Sequence, residues 1–262
     1  ADSLPDGWGM LLMDRVFKKY QQRQPYDVNI LERLAYIGQS AIGALSFEPE
    51  ADIAQQQAEM DLLALARESL VVIEDEDTEA LKNLLIIGGS PQGARPKALI
   101  KFDSTNNRVS TLPTAAGDDW LVKFPARGEN QSVCAAEHVY AQLAKQCGLN
   151  MPDTQFFDLG SGYGAFGVKR FDRDNGMRIH VHTLAGLLNT NFRLPTLSYT
   201  QLLRCIRALT HSELEVIQGY RQCVFNVVFH NRDDHSKNFS FMMDSVGNWA
   251  LSPAYDLSFN TG

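Results

Sequence analysis

No two cysteines in this sequence lie close enough along the chain to act as a pair. The four present, Cys134, Cys147, Cys205 and Cys223, are widely separated and form no C-x-x-C, which argues against a zinc knuckle, a redox pair and a disulfide framework. Three of them fall in apolar helical contexts, where a cysteine behaves as a small hydrophobe. Long apolar runs are missing too. None reaches the ~18 residues of a membrane span and no signal-peptide pattern is seen, so no membrane partner and a reducing, cytoplasmic location are expected. Positive charge is in deficit: 24 Lys and Arg face 31 Asp and Glu, for a net charge of −7. That balance excludes a chain whose whole surface clamps nucleic acid, and leaves a local basic patch or a DNA-binding partner open. Internal repeats and low-complexity tracts are absent.

What remains is an ordinary globular composition, 44% apolar and 21% charged over 262 residues, enough for one or two domains with sizeable cores. The chain opens on A-D-S-L-P-D-G-W with no initiator methionine and closes on Asn260-Thr261-Gly262. We expect a fragment lacking both ends.

The spacing predicts amphipathic helices over residues 8–22 and 28–37. A long helix is predicted within 51–72, with Ile53, Met60, Leu63, Ala66 and Leu70 near the 3.6-residue period. Thr78, after the acidic E-D-E-D, is placed to cap another helix. The texture then turns to strands. I-I-G-G-S-P-Q-G-A-R-P-K-A-L-I-K-F reads as a glycine-rich turn entering a strand, and W-L-V-K-F-P (120–125) as a short strand. Residues 132–147 read as a helix ended by Gly148, and T-Q-F-F-D-L-G-S-G-Y-G-A-F-G-V-K as a hairpin. Helices are predicted over 199–209 and 212–229, the second with Ser212 as its cap and acids in its first turn. Residues 1–75 thus form a helical preface, 76–173 a strand-rich lobe with one prominent helix, and 174–262 a helical lobe. The Phe225/Phe229 pair, at helical spacing, is expected in the core.

The chemistry gathers at H-N-R-D-D-H-S-K-N-F, residues 230–239. Asp233 and Asn238 are five apart, with Arg232 before the Asp, the interval of the kinase loop H-R-D-x-x-x-x-N. In that loop the Asp takes or orients a hydroxyl proton and the Asn holds Mg2+. The following F-S-F-M-M, D-S-V-G-N and W-A-L-S-P read as strand, turn, strand. A hairpin folded at 245–247 would bring Asn238 beside Tyr255-Asp256, making Asp256 a second oxygen ligand for Mg2+, which needs few protein ligands beside phosphate oxygens. The glycine-rich stretch around Gly93 and Ala94, with Lys97 after it, could cradle phosphates, although it matches neither a Walker A loop nor the kinase G-x-G-x-x-G. Lys123 on a strand followed by Glu137 on a helix matches the kinase strand-lysine and helix-glutamate pair. Each feature alone has a bland reading as turn, exposed lysine or solvated acid. Their order along the chain favours an α+β, two-lobed protein-kinase-like fold with nucleotide in the cleft.

The segments G-G-S-P-Q-G-A-R-P-K-A, V-K-R-F-D-R, H-N-R-D-D-H-S-K-N-F and L-S-P-A-Y-D-L-S resemble the signature segments of the HipA family, serine/threonine kinases that act as toxins of type II toxin–antitoxin modules. L-P-D-G-W-G and I-G-Q-S-A-I-G-A-L-S-F-E-P resemble it as well. The resemblance implies Asp233 as catalytic base within D-x-H-x-K-N, with His235 beside it near the nucleotide and Lys237 in the same motif, and Asn238 and Asp256 holding Mg2+. It implies that Lys123 contacts the ATP phosphates, that Lys97 follows the phosphate loop, and that Lys169, Arg170 and Phe171 form the hinge against adenine. Ser90 stands where family members autophosphorylate and silence themselves. The implied partners are a HipB-like helix-turn-helix antitoxin, operator DNA through it, and a protein substrate such as an aminoacyl-tRNA synthetase, with growth arrest as the outcome. Asp234 departs from the family, where glycine is common. A catalytically silent corepressor and a small-molecule phosphotransferase are the alternatives.

Overall fold

The computed structural model describes residues 2–51, 59–74, 93–194 and 197–260. They divide into two compact units, one of Ser3–Ala135 with Gln155–Arg170, the other of Ala1–Asp2, Ala136–Thr154 and Phe171–Gly262.

The first unit is built on a five-stranded antiparallel sheet. Its strands are β1 (Lys97–Asp103), β2 (Arg108–Ser110), β3 (Asp118–Lys123), β4 (Thr154–Gly160) and β5 (Tyr163–Lys169), in the order β2-β1-β3-β5-β4. Alternation sets which face is buried: Ala98, Ile100 and Phe102 of β1 and Trp120 and Val122 of β3 point inward, period two along each strand. Helix α1 (Gly7–Gln21) lays Trp8, Leu12 and Val16, one residue per turn, on this core. Lys18 and Lys19 in its last turn complement the negative end of the helix dipole. Helix α2 (Ile30–Ile37) starts at Asn29, whose side chain accepts from the Glu32 amide while Glu32 reaches back to the Asn29 amide.

Helix α3 (Leu62–Glu74) begins later than its apolar period suggests. Asp61 accepts from the Ala64 amide at 2.7 Å and so fixes the start, which leaves Met60 outside the helix. Ile53 and Thr78 lie outside the described residues, as does most of the glycine-rich stretch, Ser90 included.

α4 (Ser132–Gln146), all but its first four residues in the second unit, stops at Gly148, which takes φ +79°. A short ribbon, β6 (Arg173–Asp174) and β7 (Met177–Arg178), precedes β8 (His180–Thr183), α5 (Leu184–Leu187), α6 (Tyr199–Thr210) and α7 (Glu213–Val228). β9 (Ser240–Met243) and β10 (Trp249–Leu251) form the predicted hairpin, and β8 adds to it antiparallel. Ser212 caps α7 by accepting from the Glu215 amide, with Glu213 and Glu215 in the first turn. α6 and α7 approach closely at Gly219, where a Cβ would come within 2.3 Å of Ile206 Cδ1. Leu202, Ile206, Cys223, Phe239, Phe241 and Leu251 form one core cluster here. Phe225, with Ala144, Leu149, Ala254 and Leu257, forms another, and Phe225 and Phe229 stack at 4.2 Å. None of the four cysteines forms a disulfide, and Cys134 and Cys223 are buried. Among the described residues no helix is long and apolar enough to cross a membrane.

Candidate functional site

The acidic loop begins where α7 ends. His230 takes φ +55° and turns the chain out of the helix. Asn238 then closes the loop: its Nδ2 donates to the Asp233 carbonyl at 2.6 Å and its own amide donates to the His235 carbonyl at 2.9 Å. The D-x-x-x-x-N spacing is therefore the circumference of a small ring. Asn238 is buried, while Asp233 is exposed.

The hairpin brings Tyr255, the neighbour of the later acid, to this ring. Asp244 accepts from the amides of Val246 and Asn248, both at 2.9 Å, and so makes the turn. Bonds from the Asn248 backbone and side chain hold its carboxyl below the usual carboxylate range. At the open end Ser252 donates to the Ser240 carbonyl, and the Tyr255 hydroxyl donates to the Lys237 carbonyl at 2.6 Å. That phenol has one proton, so Ser240 Oγ, 2.5 Å away, is the donor in their contact. Burial pushes the Tyr255 phenol well above its ordinary range. Asp256 follows, exposed and at φ +53°.

The two adjacent acids have different surroundings. Asp234 is half-buried and accepts from the Tyr199 hydroxyl. Burial, then the charge of Asp234, pushes the nearby Cys223 thiol up to about 12. Asp233 has its Oδ1 3.7 Å from His235 Nε2, too long for a hydrogen bond. The other ring nitrogen of His235 is buried with no hydrogen-bond partner among the described residues, and the ring lies against Phe192 at 5.2 Å. Lys237 Nζ sits 4.1 Å from the centre of the same Phe192 ring. Phe171 packs on Tyr255, centroids 5.8 Å apart. Glu137 is buried on α4. The second unit therefore gathers Asp233, His235, Lys237 and Asn238, and joins Phe171 and Asp256 to them through Tyr255.

The remaining candidates lie in the first unit. Gly93 marks the end of the glycine-rich stretch: its amide donates to Asp6 Oδ1 at 2.7 Å, and its carbonyl accepts from Trp8 N at 2.9 Å. Ala94, beside it, is exposed. Lys97 and Lys123 are directly opposite across β1 and β3, and both are buried. Lys97 Nζ donates to the Arg95 carbonyl at 3.1 Å, and Lys123 Nζ lies 5.6 Å from the Phe166 ring centre. Opposed residues share a face of the sheet. Lys169, by contrast, makes an exposed ion pair with Asp118 at 2.7 Å, and Arg170 extends β5 by donating its amide to the Asp119 carbonyl.

Sequence reasoning missed Tyr199, Asn226 and Asn231 as parts of this site, and it placed Tyr255 beside Asn238 without giving it a role. One signal was present. C-V-F-N-V-V-F carries a single polar residue, Asn226, in an otherwise apolar helical run, and it is 2% exposed. A buried side-chain amide requires partners.

Oxygen donors suit Mg2+. With its Nδ2 spent on Asp233, Asn238 has its amide oxygen to offer, and Asp256 offers an exposed carboxylate. Among the described residues no group of three or more His, Cys, Asp or Glu converges as a metal cluster, so any cation here would keep most of its ligands from water or substrate.

A protein of Sinorhizobium fredii whose name, Y4dM, marks it as an inferred kinase is 28% identical over 190 residues, 63% of this chain and 46% of its own length. A Haemophilus influenzae protein, likewise named as an inferred kinase, is 26% identical over 190 residues, 64% of this chain and 52% of its own. The chain spans about half the length of these curated relatives. Among solved structures, HipA of Shewanella oneidensis, determined with HipB and operator DNA, superposes with a TM-score of 0.66 at 20% identity, over 96% of this chain and 64% of that one. At that identity the likeness is one of fold. The model of the HipA-like C-terminal domain matches residues 89–261, about two thirds of the sequence, and the chain belongs to the HipA-like family.

Proposed function

We propose that this chain is the core of an ATP- and Mg2+-dependent serine/threonine protein kinase acting as the toxin of a toxin–antitoxin module. The observation that carries this reading is the closed Asp233–Asn238 ring joined through Tyr255 to the Asp256 turn. In the reaction, the γ-phosphoryl of ATP passes to a serine or threonine hydroxyl oxygen, its bond to the β-phosphate oxygen breaks, and ADP leaves. The hydroxyl proton goes to Asp233. Exposure favours Asp233 over Asp234 for that task, since Asp234 is already occupied by Tyr199. Lys97 and Lys123 are assigned to the nucleotide phosphates, Lys169, Arg170 and Phe171 to the adenine side, and Ser90 to autophosphorylation. Bound Mg2+, held by Asn238 and Asp256, would neutralise charge on the transferring phosphates. By analogy with the Shewanella complex, a HipB-like DNA-binding protein is the partner. The protein substrate would be of the aminoacyl-tRNA synthetase kind.

Intact-mass spectrometry with and without Mg2+ and ATP tests this. One added phosphate mapping to Ser90, absent in Asp233→Asn, is expected. A protein that neither gains phosphate nor binds nucleotide, but does bind a HipB-like partner, would instead be a silent corepressor.

A further inference from the structure

Asp233 and Asp256 are both exposed, and the backbones of both bond to one buried residue. Asn231 Oδ1 accepts from the Asp233 amide at 3.3 Å, and Asn231 Nδ2 donates to the Asp256 carbonyl at 3.1 Å. The second Nδ2 proton goes to Asn226 Oδ1 at 3.1 Å, and the Asn231 amide donates to the Asn226 carbonyl at 2.9 Å. Asn231 is 4% exposed and Asn226 2%. We infer that Asn231 is a positioning residue: anchored on α7 through Asn226, it fixes the distance between the candidate base and the candidate metal ligand, 23 residues apart in sequence (256 − 233), while touching neither substrate nor metal.

The chemistry of the side chain explains why asparagine stands there. The position needs two donors and one acceptor in a planar, uncharged group of fixed reach. Aspartate has no donor and would face the carbonyl of Asp256 and the amide oxygen of Asn226. Serine has one donor, and alanine none. Asp256 adds a second reason, since it holds a left-handed φ of +53°, a conformation that non-glycine residues keep only when the surroundings dictate it. The bond from Asn231 acts at the carbonyl of that very residue. A parallel bridge between Asn231 and Asn260, with the Asn260 amide donating to the His230 carbonyl at 3.0 Å, holds the same two segments together from the other side.

The catalytic meaning of this arrangement rests on the kinase reading, but the mechanical part does not, and the test separates them. Asn231→Ala is compared with Gly219→Ala, which perturbs the α6–α7 contact and leaves the loop intact, with urea added to bring the two to equal stability. Hydrogen exchange should quicken at least tenfold in peptides covering 232–236 and 254–258 of Asn231→Ala, and in neither peptide of Gly219→Ala. Mn2+ in the presence of nucleotide, read by electron paramagnetic resonance, should bind at least tenfold more weakly to Asn231→Ala. Its kcat for phosphate transfer should fall at least tenfold with the KM for ATP within threefold. Asn231→Ser, keeping one donor and one acceptor, should fall between, and it carries the comparison if the alanine variant does not fold. Unchanged exchange in either peptide, or the same increase in Gly219→Ala, overturns the inference. If the unaltered protein neither binds Mn2+ with nucleotide nor transfers phosphate, the kinase reading fails, while the exchange result still decides the role of Asn231.

Discussion

Replacing Tyr199 by phenylalanine removes one hydroxyl and leaves the ring in place, so the bond that occupies Asp234 is lost together with that hydroxyl's bond to the Asn226 side chain. A hydrogen bond to a charged group contributes roughly 1.5–3 kcal/mol when well shielded. Asp234 and Tyr199 are half-buried, so water can replace part of what is lost, and we expect the low end, about 1.5 kcal/mol. No cavity term adds to it, because only the oxygen goes. For a protein of this size that corresponds to a fall in Tm of about 3–6 °C. The assay is a double-mutant cycle in urea: Tyr199→Phe, Asp234→Asn and both together. The single variants should each lose stability, and the pair should lose less than their sum by about 1 kcal/mol. Additivity within about 0.3 kcal/mol would mean that Tyr199 does not hold Asp234, and with it would go the argument that separates the two acids.

Gly219→Ala sets overpacking against Ile206, about 1–3 kcal/mol, against a helix-propensity gain of about 1 kcal/mol. A net loss of about 1 kcal/mol in thermal or urea unfolding is expected, and a stabilised variant would contradict the close approach of α6 and α7. Lys123→Met removes one of two opposed ammonium groups. ATP affinity by calorimetry should fall at least tenfold, and unchanged affinity would remove Lys123 from the phosphate site. At alkaline pH, burial keeps the phenols of Tyr36, Tyr199 and Tyr255 protonated beyond their ordinary range. The native state then holds protons that the unfolded chain has released. Stability is therefore fully present below pH ~10 and falls as pH rises past it, by about 1.4 kcal/mol per pH unit for each well-buried phenol. Half-exposed Tyr199 should contribute least. Urea melts at pH 9 and pH 10.5 that give the same stability would refute this.

Local signals carried much of the architecture. The period-two alternation of K-A-L-I-K-F and the turn D-S-V-G-N lie within the segments they shape, as does the Ser212 cap, so each was legible. The same holds for the Asp233–Asn238 interval, which proves to be a hydrogen-bonded ring. α3 was misjudged at its start because a short-range cap, Asp61, outweighs a continuing apolar period. The parts of the site that stayed hidden are those made by partners far apart in sequence. Tyr199 meets Asp234 across 35 residues, Asn231 meets Asp256 across 25 and Tyr255 meets Lys237 across 18. No local pattern encodes such pairs, since they depend on how α6, α7 and the hairpin pack. The facing of Lys97 and Lys123 is of the same kind: each lysine was visible, and only strand register sets them opposite each other.

The contact between the start of α1 and Gly93 has a practical consequence. Asp6 and Trp8 grip both backbone polar groups of Gly93, and Gly7 approaches so closely that a Cβ there would lie 2.5 Å from the Gly93 oxygen. Anyone trimming the chain to a minimal sheet unit would take the first ten residues for a dispensable lead-in. Cutting them would instead unhook the root of a glycine-rich stretch more than eighty positions away. A fusion tag that distorts Asp6, or a side chain added at Gly7, would act in the same way, so the N-terminal residues should be kept intact in any shortened version.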